Sequence, residues 1–317
     1  ILVMILSLTA CGGGTAVEPT AKKSITDCMG RTVEVPEDPQ RVACMYASIA
    51  HMMAMLDEGD AIVGTPKGVK MDVLMKLKYP EIENTATPYQ EGSINVEELL
   101  NIESDLVLIR YSTAQNEGEV EKLEKIGVPY AVIDYETLEE LDEAILVMGK
   151  IFNKEEHAQK YVDFCNGTID MVQDKVGGTP EAEWPMVYHS VNEAIRTDGV
   201  GDMCGVIMNL ASVKDISIEN GMKTGSDGTY TTLEEIYKWD PDAFICNEYS
   251  VTDYILSDTK WGGLTAVKDK EVYTLPVGAT RWCHPGSIEA HMGVLAIAYQ
   301  FYPEKFEGFD MNTYVKD

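Results

Sequence analysis

Three of the five arginines in this sequence fall in or near loops that follow predicted strands: Arg110, Arg196 and Arg281. A guanidinium binds carboxylate or catecholate-type oxygens through two parallel hydrogen bonds, which a lysine cannot do. In a chain of 317 residues with a net charge of -28, grouped arginines predict a local positive pocket for an anionic metal chelate. Surface ion pairs with the many carboxylates are the alternative.

Aromatic, hydroxyl and imidazole side chains occur at the same strand ends. The predicted ligand contacts are Tyr46, Ser48, His51, Arg110, His189, Arg196, Tyr249, Arg281 and Trp282. Trp282 offers a stacking surface beside Arg281, although it could equally fill the junction between two parts of the fold.

Histidine and cysteine give weaker signals of metal chemistry. His51, His189 or His284 could serve as an axial ligand to haem, although a lone histidine is more often structural. The chain has only five histidines, and Cys28, Cys44, Cys165, Cys204, Cys246 and Cys283 show no C-x-x-C spacing. We therefore predict no metal site of the protein's own, and the cysteine positions leave disulfides undecided.

The elements that would position these loops alternate between strand and helix, which predicts parallel sheets. Strands are expected at 41–46, 61–64, 105–109 and 129–133, and again at 185–190, 242–246 and 271–276. The predicted fold is therefore α/β, with two Rossmann-like lobes. Ligands of such sheets bind beyond the carboxyl ends of the strands, so the site is expected in a cleft between the lobes.

A helical stripe of apolar residues over 154–176 separates the two runs of elements. It predicts one connecting helix roughly 33 Å long, with a capping box formed by Asn153 and Glu156. The expected organisation is a signal-peptide remnant with a lipobox (1–11), a flexible tether (12–23), an N-terminal lobe (24–152), the connecting helix (153–178) and a C-terminal lobe (179–317).

One helix-to-strand passage occurs twice, as "INVEELLNIESDLVLI" (94–109) and "TTLEEIYKWDPDAFIC" (231–246). Glu98 and Glu235 each complete a predicted capping box, with Asn95 and Thr232 respectively. Glu97 and Glu234 are left to point outward. Either one alone is explained by the helix dipole, but a matched pair on two lobes suggests two docking points.

The N-terminal segment "ILVMILSLTAC" ends in Leu8-Thr9-Ala10-Cys11, which resembles a bacterial lipobox. In a lipobox the cysteine carries lipid, and a flexible tether such as "GGGTAVEPTAKK" follows it. A buried strand that ends in a free thiol is the alternative.

A lipobox, the stretch "ITDCMGRTVEVPEDPQRVA" and two α/β lobes bridged by one helix together resemble the substrate-binding lipoproteins of bacterial ABC importers. The subgroup for ferric siderophores, haem and cobalamin is most similar. The patterns D-x-x-G-R-T-V-x-V-P and V-E-E-L-L-x-I-x-x-D-L-V carry this resemblance, which extends from Ser24 to Phe309. It implies a lipid-anchored extracytoplasmic monomer that serves an ABC permease and its ATPase, with Glu97 and Glu234 pairing with permease arginines.

The resemblance implies a metal complex as ligand and no cofactor. The preferred ligand is an anionic ferric siderophore held by Arg110 and Arg281, with Tyr46, Tyr249 and Trp282 as walls of the site. Haem and cobalamin are the alternative ligands. A pI near 4.4 argues against a nucleic-acid partner. The chain has no Walker A or G-x-S-x-G motif, so no enzyme is expected. A Rossmann-type oxidoreductase is the alternative of another class, but "GVGDMCG" (199–205) lacks the dinucleotide-binding spacing.

Overall fold

The first lobe is built around a four-stranded parallel sheet, as the alternation of elements predicts. The computed structural model describes residues 21–225 and 228–315. The strands are β1 (Lys22–Thr26), β2 (Thr32–Pro36), β3 (Val42–Cys44), β4 (Ile62–Gly64), β5 (Tyr89–Gln90), β6 (Ser93–Ile94), β7 (Leu106–Ile109) and β8 (Tyr130–Val132). The helices are α1 (Ala47–Met55), α2 (Lys67–Met71), α3 (Val73–Lys78), α4 (Val96–Asn101), α5 (Tyr111–Ala114), α6 (Glu117–Ile126) and α7 (Leu138–Phe152). The sheet has the order β4-β3-β7-β8.

The second lobe follows a 22-residue helix, α8 (Glu155–Val176), and repeats the same strand order. Its strands are β9 (Met186–Ser190), β10 (Arg196–Thr197), β11 (Lys214–Asp215), β12 (Thr229–Tyr230), β13 (Ala243–Cys246) and β14 (Val272–Thr274). Its helices are α9 (Met203–Leu210), α10 (Ile216–Glu219), α11 (Leu233–Trp239), α12 (Tyr249–Ser257), α13 (Thr265–Asp269), α14 (Ala290–Phe301) and α15 (Met311–Tyr314). The parallel sheet β11-β9-β13-β14 matches the first one strand for strand, so the predicted two-lobed α/β fold is confirmed.

Helix α8 is continuous, as predicted, and it lies between the two lobes. Its buried stripe packs against α7 and α14, and one apolar core cluster runs through these helices into both lobes. The predicted capping box is wrong. Asn153 ends α7 in the left-handed conformation (φ 55°) that asparagine tolerates, and Lys154 precedes α8 without a side-chain cap.

The repeated passage has the same structural role in both lobes. The Asp105 carboxylate accepts hydrogen bonds from the backbone N–H groups of Gln40 and Arg41, just before β3. The Asp242 carboxylate accepts one from Met186, at the start of β9. Each aspartate thus links the start of a central strand, β7 or β13, to the start of the neighbouring strand by hydrogen bonds. This shared bond explains why the second half of the passage is repeated.

A β-hairpin of β1 and β2 opens the described part of the chain, and its D-x-x-G-R motif is structural. The buried Asp27 carboxylate accepts hydrogen bonds from the N–H groups of Met29, Arg31 and Val132 and from the Arg31 guanidinium. Gly30 takes a positive φ of 74°, which turns the chain between β1 and β2. Asp27 therefore fixes the hairpin to the edge strand β8.

We expect Asp27→Ala to lower the free energy of unfolding by about 3–5 kcal/mol, because it leaves three backbone donors and a guanidinium without their acceptor. Urea denaturation followed by circular dichroism measures the loss. Asp38→Ala, at an exposed aspartate of the same lobe, is the matched control and should change stability by less than about 0.5 kcal/mol. Equal stability of the two variants would contradict the assigned role of Asp27.

Two predictions concern residues at or before the start of the described chain. The proposed lipobox and Cys11 lie outside the described residues, as does most of the tether. Strand β1 begins at Lys22, so the last two tether residues belong to the hairpin. Within residues 21–225 and 228–315, no helix combines the length and the apolar character needed to cross a membrane. The lobe limits given above stay predictions.

Candidate ligand-binding cleft

A cleft of about 830 Å³ lies between the two lobes at the carboxyl ends of their parallel strands. The loop after β3 and helix α1 contribute Tyr46, Ser48 and His51 from the first lobe. The second lobe contributes the residues after β13 and the loop 277–287. This is the position at which open α/β sheets bind ligands, and it is where the sequence predicts the site.

Five of the nine predicted contact residues line this cleft: Tyr46, Ser48, His51, Tyr249 and Arg281. Tyr249 is 73% exposed, so its ring is free to pack against a bound molecule. His284, considered above only as a haem ligand, also lines the cleft. That these side chains contact a ligand stays a prediction.

The other four predicted contacts do not line the cleft, which corrects the sequence-based expectation. Arg110 donates to Asp134 over 2.8 Å and stacks its guanidinium 4.2 Å from the Tyr46 ring centroid, so it positions a cleft residue from behind. Arg196 belongs to the short β10–β12 pair. His189 and Trp282 are buried in the second lobe, because β9 and the loop 277–287 turn these side chains into the core.

Charges of both signs face the cleft. The Arg281 guanidinium donates to Glu248, and Asp72 lies 3.4 Å from His51 Nε2. Burial, together with the nearby Arg281 charge, lowers the pKa of His284 to about 4, so its imidazole is neutral at physiological pH. Arg281 is therefore already paired, and an anionic ligand must compete with Glu248 for it.

One wall of the cleft is apolar, and none of its residues is among the predicted ligand contacts. Met71, Val73 and Leu74, from the short helices α2 and α3, line the cleft while being 66%, 65% and 49% exposed. Leu74 and His51 also line a neighbouring pocket of about 200 Å³. The sequence signal was the stretch "MDVLM" (71–75), which has four apolar residues in five positions. Two such short helices cannot bury all four on one face.

A buried polar cluster lies directly beneath the second-lobe side of the cleft. His189 Nδ1 lies 2.5 Å from the Asp198 carboxylate, and His189 Nε2 lies 3.1 Å from Asn247 Oδ1. Burial alone would lower the pKa of His189, but Asp198 outweighs it and holds that pKa well above its ordinary value. Burial and the Asp198 charge raise the pKa of Asp215 to about 8.

Comparison with known proteins agrees with this architecture. A model of the periplasmic binding protein family matches residues 42–277, which is most of the chain. The chain belongs to the periplasmic binding protein family. It is the extracytoplasmic solute-binding component of an ABC importer and not an enzyme, as the sequence predicts.

Individual members of the family show how far the similarity extends. The molybdate-binding protein MolA of Haemophilus influenzae is 24% identical over 94% of this chain and 90% of its own length. The iron(3+)-hydroxamate-binding protein YxeB of Bacillus subtilis is 21% identical over 86% of each chain. A periplasmic solute-binding protein from Veillonella parvula superposes with a TM-score of 0.82 at 23% identity, over 93% of this chain and 91% of its own.

Proposed function

We propose that this periplasmic binding protein captures a bulky iron chelate, preferably an anionic ferric siderophore, and delivers it to a membrane permease. The observation that carries the proposal is the size and lining of the cleft. Its volume of about 830 Å³ is in the upper part of the roughly 300–1,000 Å³ range of small-molecule sites. Tyr46 and Tyr249 offer aromatic walls, and Arg281 offers a guanidinium for chelate oxygens.

The apolar wall on α2 and α3 supports the same class of ligand. An organic chelator surrounds its metal with carbon as well as oxygen, so it can cover Met71, Val73 and Leu74 on binding. Burial of apolar surface contributes about 25 cal/mol per Å². The iron-hydroxamate specificity in the name of YxeB also favours an iron complex.

Molybdate is the second candidate, because the relative MolA is named for molybdate binding. Ser48, His51 and Arg281 are side chains of the kinds that hydrogen-bond an oxyanion. However, an ion with four oxygens would occupy only a small part of this cleft. It would also leave the apolar wall uncovered.

Haem and cobalamin remain alternatives for the same cleft. His51 and His284 both line it, and the neutral imidazole of His284 is in the protonation state that ligates iron. His189, the third axial candidate, is buried and does not line the cleft. Cobalamin would need cleft walls with fewer charges than Asp72, Glu248 and Arg281 provide.

A titration panel tests the proposal. Intrinsic tryptophan fluorescence of the purified protein is followed with a ferric catecholate siderophore, a ferric hydroxamate siderophore, haemin, cobalamin and molybdate. We expect saturable binding of an iron chelate at micromolar or lower concentration. Saturation by molybdate with no response to either siderophore would move the assignment to an oxyanion carrier. A Soret shift that is lost in His51→Ala or His284→Ala would move it to haem.

We also propose that Cys11 carries the lipid anchor and that Glu97 and Glu234 contact the permease. Both glutamates are exposed at the first turns of equivalent helices, α4 and α11. A lipidated Cys11 would keep the protein near its membrane partner. Mass spectrometry of protein from native membranes tests the anchor, and an unmodified Cys11 in a retained N-terminus would contradict it.

A further inference from the structure

Five chemically active side chains converge inside the second lobe, outside the ligand cleft. They are His189, Asp198, Cys204, Asp215 and Cys283, and all five are at least 97% buried. Ligand atoms of His189, Cys204 and Cys283 all lie within 4.8 Å of one another, and those of His189, Asp198 and Asp215 do the same. The chain brings them from β9, α9, β11 and two loops, so the tertiary fold alone assembles the group.

The Cys204 thiol lies close to two other ligand atoms of this cluster. Its Sγ is within 4.8 Å of the Cys283 Sγ and of a ring nitrogen of His189. Tetrahedral zinc, with bonds of about 2.3 Å to sulfur and about 2.0–2.1 Å to nitrogen, places its ligand atoms roughly 3.3–3.8 Å apart. The two sulfurs and a ring nitrogen of His189 lie within 4.8 Å of one another, and the Asp198 carboxylate lies 2.5 Å from His189 Nδ1, so side-chain movements would bring these four groups around one ion.

The surroundings already orient the group as a metal site requires. His189 Nε2 faces the Asn247 side-chain oxygen, and Asn247 Nδ2 donates to the Cys283 carbonyl over 2.7 Å. This contact leaves Nε2–H as a donor to Asn247, while Nδ1 shares a proton with Asp198 across 2.5 Å, so a metal at Nδ1 would take the place of that proton. Asp215 Oδ2 is buried and has no hydrogen-bond partner, so the cluster contains a polar atom that the protein itself does not satisfy.

We infer that His189, Asp198, Cys204 and Cys283 form a structural site for a thiolate-binding divalent metal, with zinc as the preferred ion. Two thiolates with an imidazole and a carboxylate are a ligand set that suits zinc. Asp215 would support the site without binding the ion, because its Oδ1 accepts hydrogen bonds from Ser217 and from the backbone N–H of Ile218. The site is closed, so the metal would enter as the chain folds.

Such a metal would also fix part of the ligand cleft. Cys283 lies between Arg281 and His284, which both line the cleft. On the other side of this loop, a Cβ at Gly293 of α14 would come within 2.6 Å of the Trp282 carbonyl oxygen, so the loop is packed tightly there. A bond from Cys283 to the metal would tie the loop to β9 and α9.

Metal content and a cobalt spectrum test the inference. The wild-type protein, the double variant Cys204→Ser/Cys283→Ser and the control Cys44→Ser/Cys165→Ser are analysed for zinc after purification. The control cysteines are buried but belong to neither group of converging ligand atoms. Each is then unfolded under reducing conditions and refolded with Co²⁺. We expect about one metal ion per chain and a thiolate-to-cobalt charge-transfer band in the wild type and the control, and neither in the double variant.

The wild-type measurements decide the question even if the double variant does not fold, because the charge-transfer band itself requires thiolate ligands. Alkylation with mass mapping then identifies the protected thiols, which we expect to be Cys204 and Cys283. A Cys204–Cys283 disulfide in the native protein would overturn the inference. So would two reactive thiols with no bound metal after refolding with Co²⁺. The result does not depend on which ligand the cleft binds.

Discussion

Replacing Glu97 or Glu234 by lysine is expected to abolish ligand uptake by cells while leaving the ligand affinity of the purified protein unchanged. Neither side chain lines the cleft. If each pairs with a permease arginine, the substitution places two positive charges together at the interface. Loss of a desolvated charge pair costs about 2–5 kcal/mol, or roughly 30-fold to several thousand-fold in affinity.

The geometry of the lobes supports this expectation. Helices in α/β units run antiparallel to the parallel strands, so helix N-termini lie at the cleft end of each sheet. Glu97 and Glu234 are at such N-termini, one in each lobe.

Matched controls are available at the other end of the lobes. Glu124, near the end of α6, and Asp269, at the end of α13, are also exposed acids. Glu124→Lys and Asp269→Lys should support normal uptake, since they make the same charge change away from the cleft. The docking assignment fails if Glu97→Lys weakens ligand binding in the purified protein, or if all four variants transport equally.

Arg281→Ala is expected to weaken binding of an anionic ferric siderophore by about tenfold to a hundredfold. Hydrogen bonds to a charged group contribute about 1.5–3 kcal/mol, and solvent reduces this at a cleft residue whose side chain is 41% exposed. Glu248→Gln should have the opposite effect, because it releases Arg281 from its carboxylate partner. Isothermal titration calorimetry at two salt concentrations measures both changes.

Arg196→Ala is the matched control for this pair, since Arg196 does not line the cleft. It should bind the siderophore as the wild type does. Weaker binding by Glu248→Gln together with tighter binding by Arg281→Ala would indicate a neutral or cationic complex. Unchanged affinity in both variants would remove Arg281 from the ligand site.

Local patterns in the sequence were sufficient to predict most of the fold. The connecting helix was predicted over 154–176 and spans Glu155–Val176 in the structure. Periodicity in such a segment shows which face is buried, and it needs no knowledge of distant residues. The predicted cap at Asn153 was wrong because asparagine suits both a helix N-cap and the left-handed residue that ends a helix. In this structure Asn153 ends α7.

The sequence by itself determined the two lobes, their connecting helix, the matched Glu97 and Glu234, and the strand-end loops that form the cleft. These features follow from spacing along the chain. It did not determine which of these side chains face the ligand, because a strand-end residue such as His189 or a loop residue such as Trp282 turns toward solvent or core according to what packs on it. Only the tertiary structure brought Cys204 and Cys283 together with His189 and Asp198. These residues are far apart in sequence, and their meeting depends on how β9, α9 and the loop 277–287 pack in three dimensions.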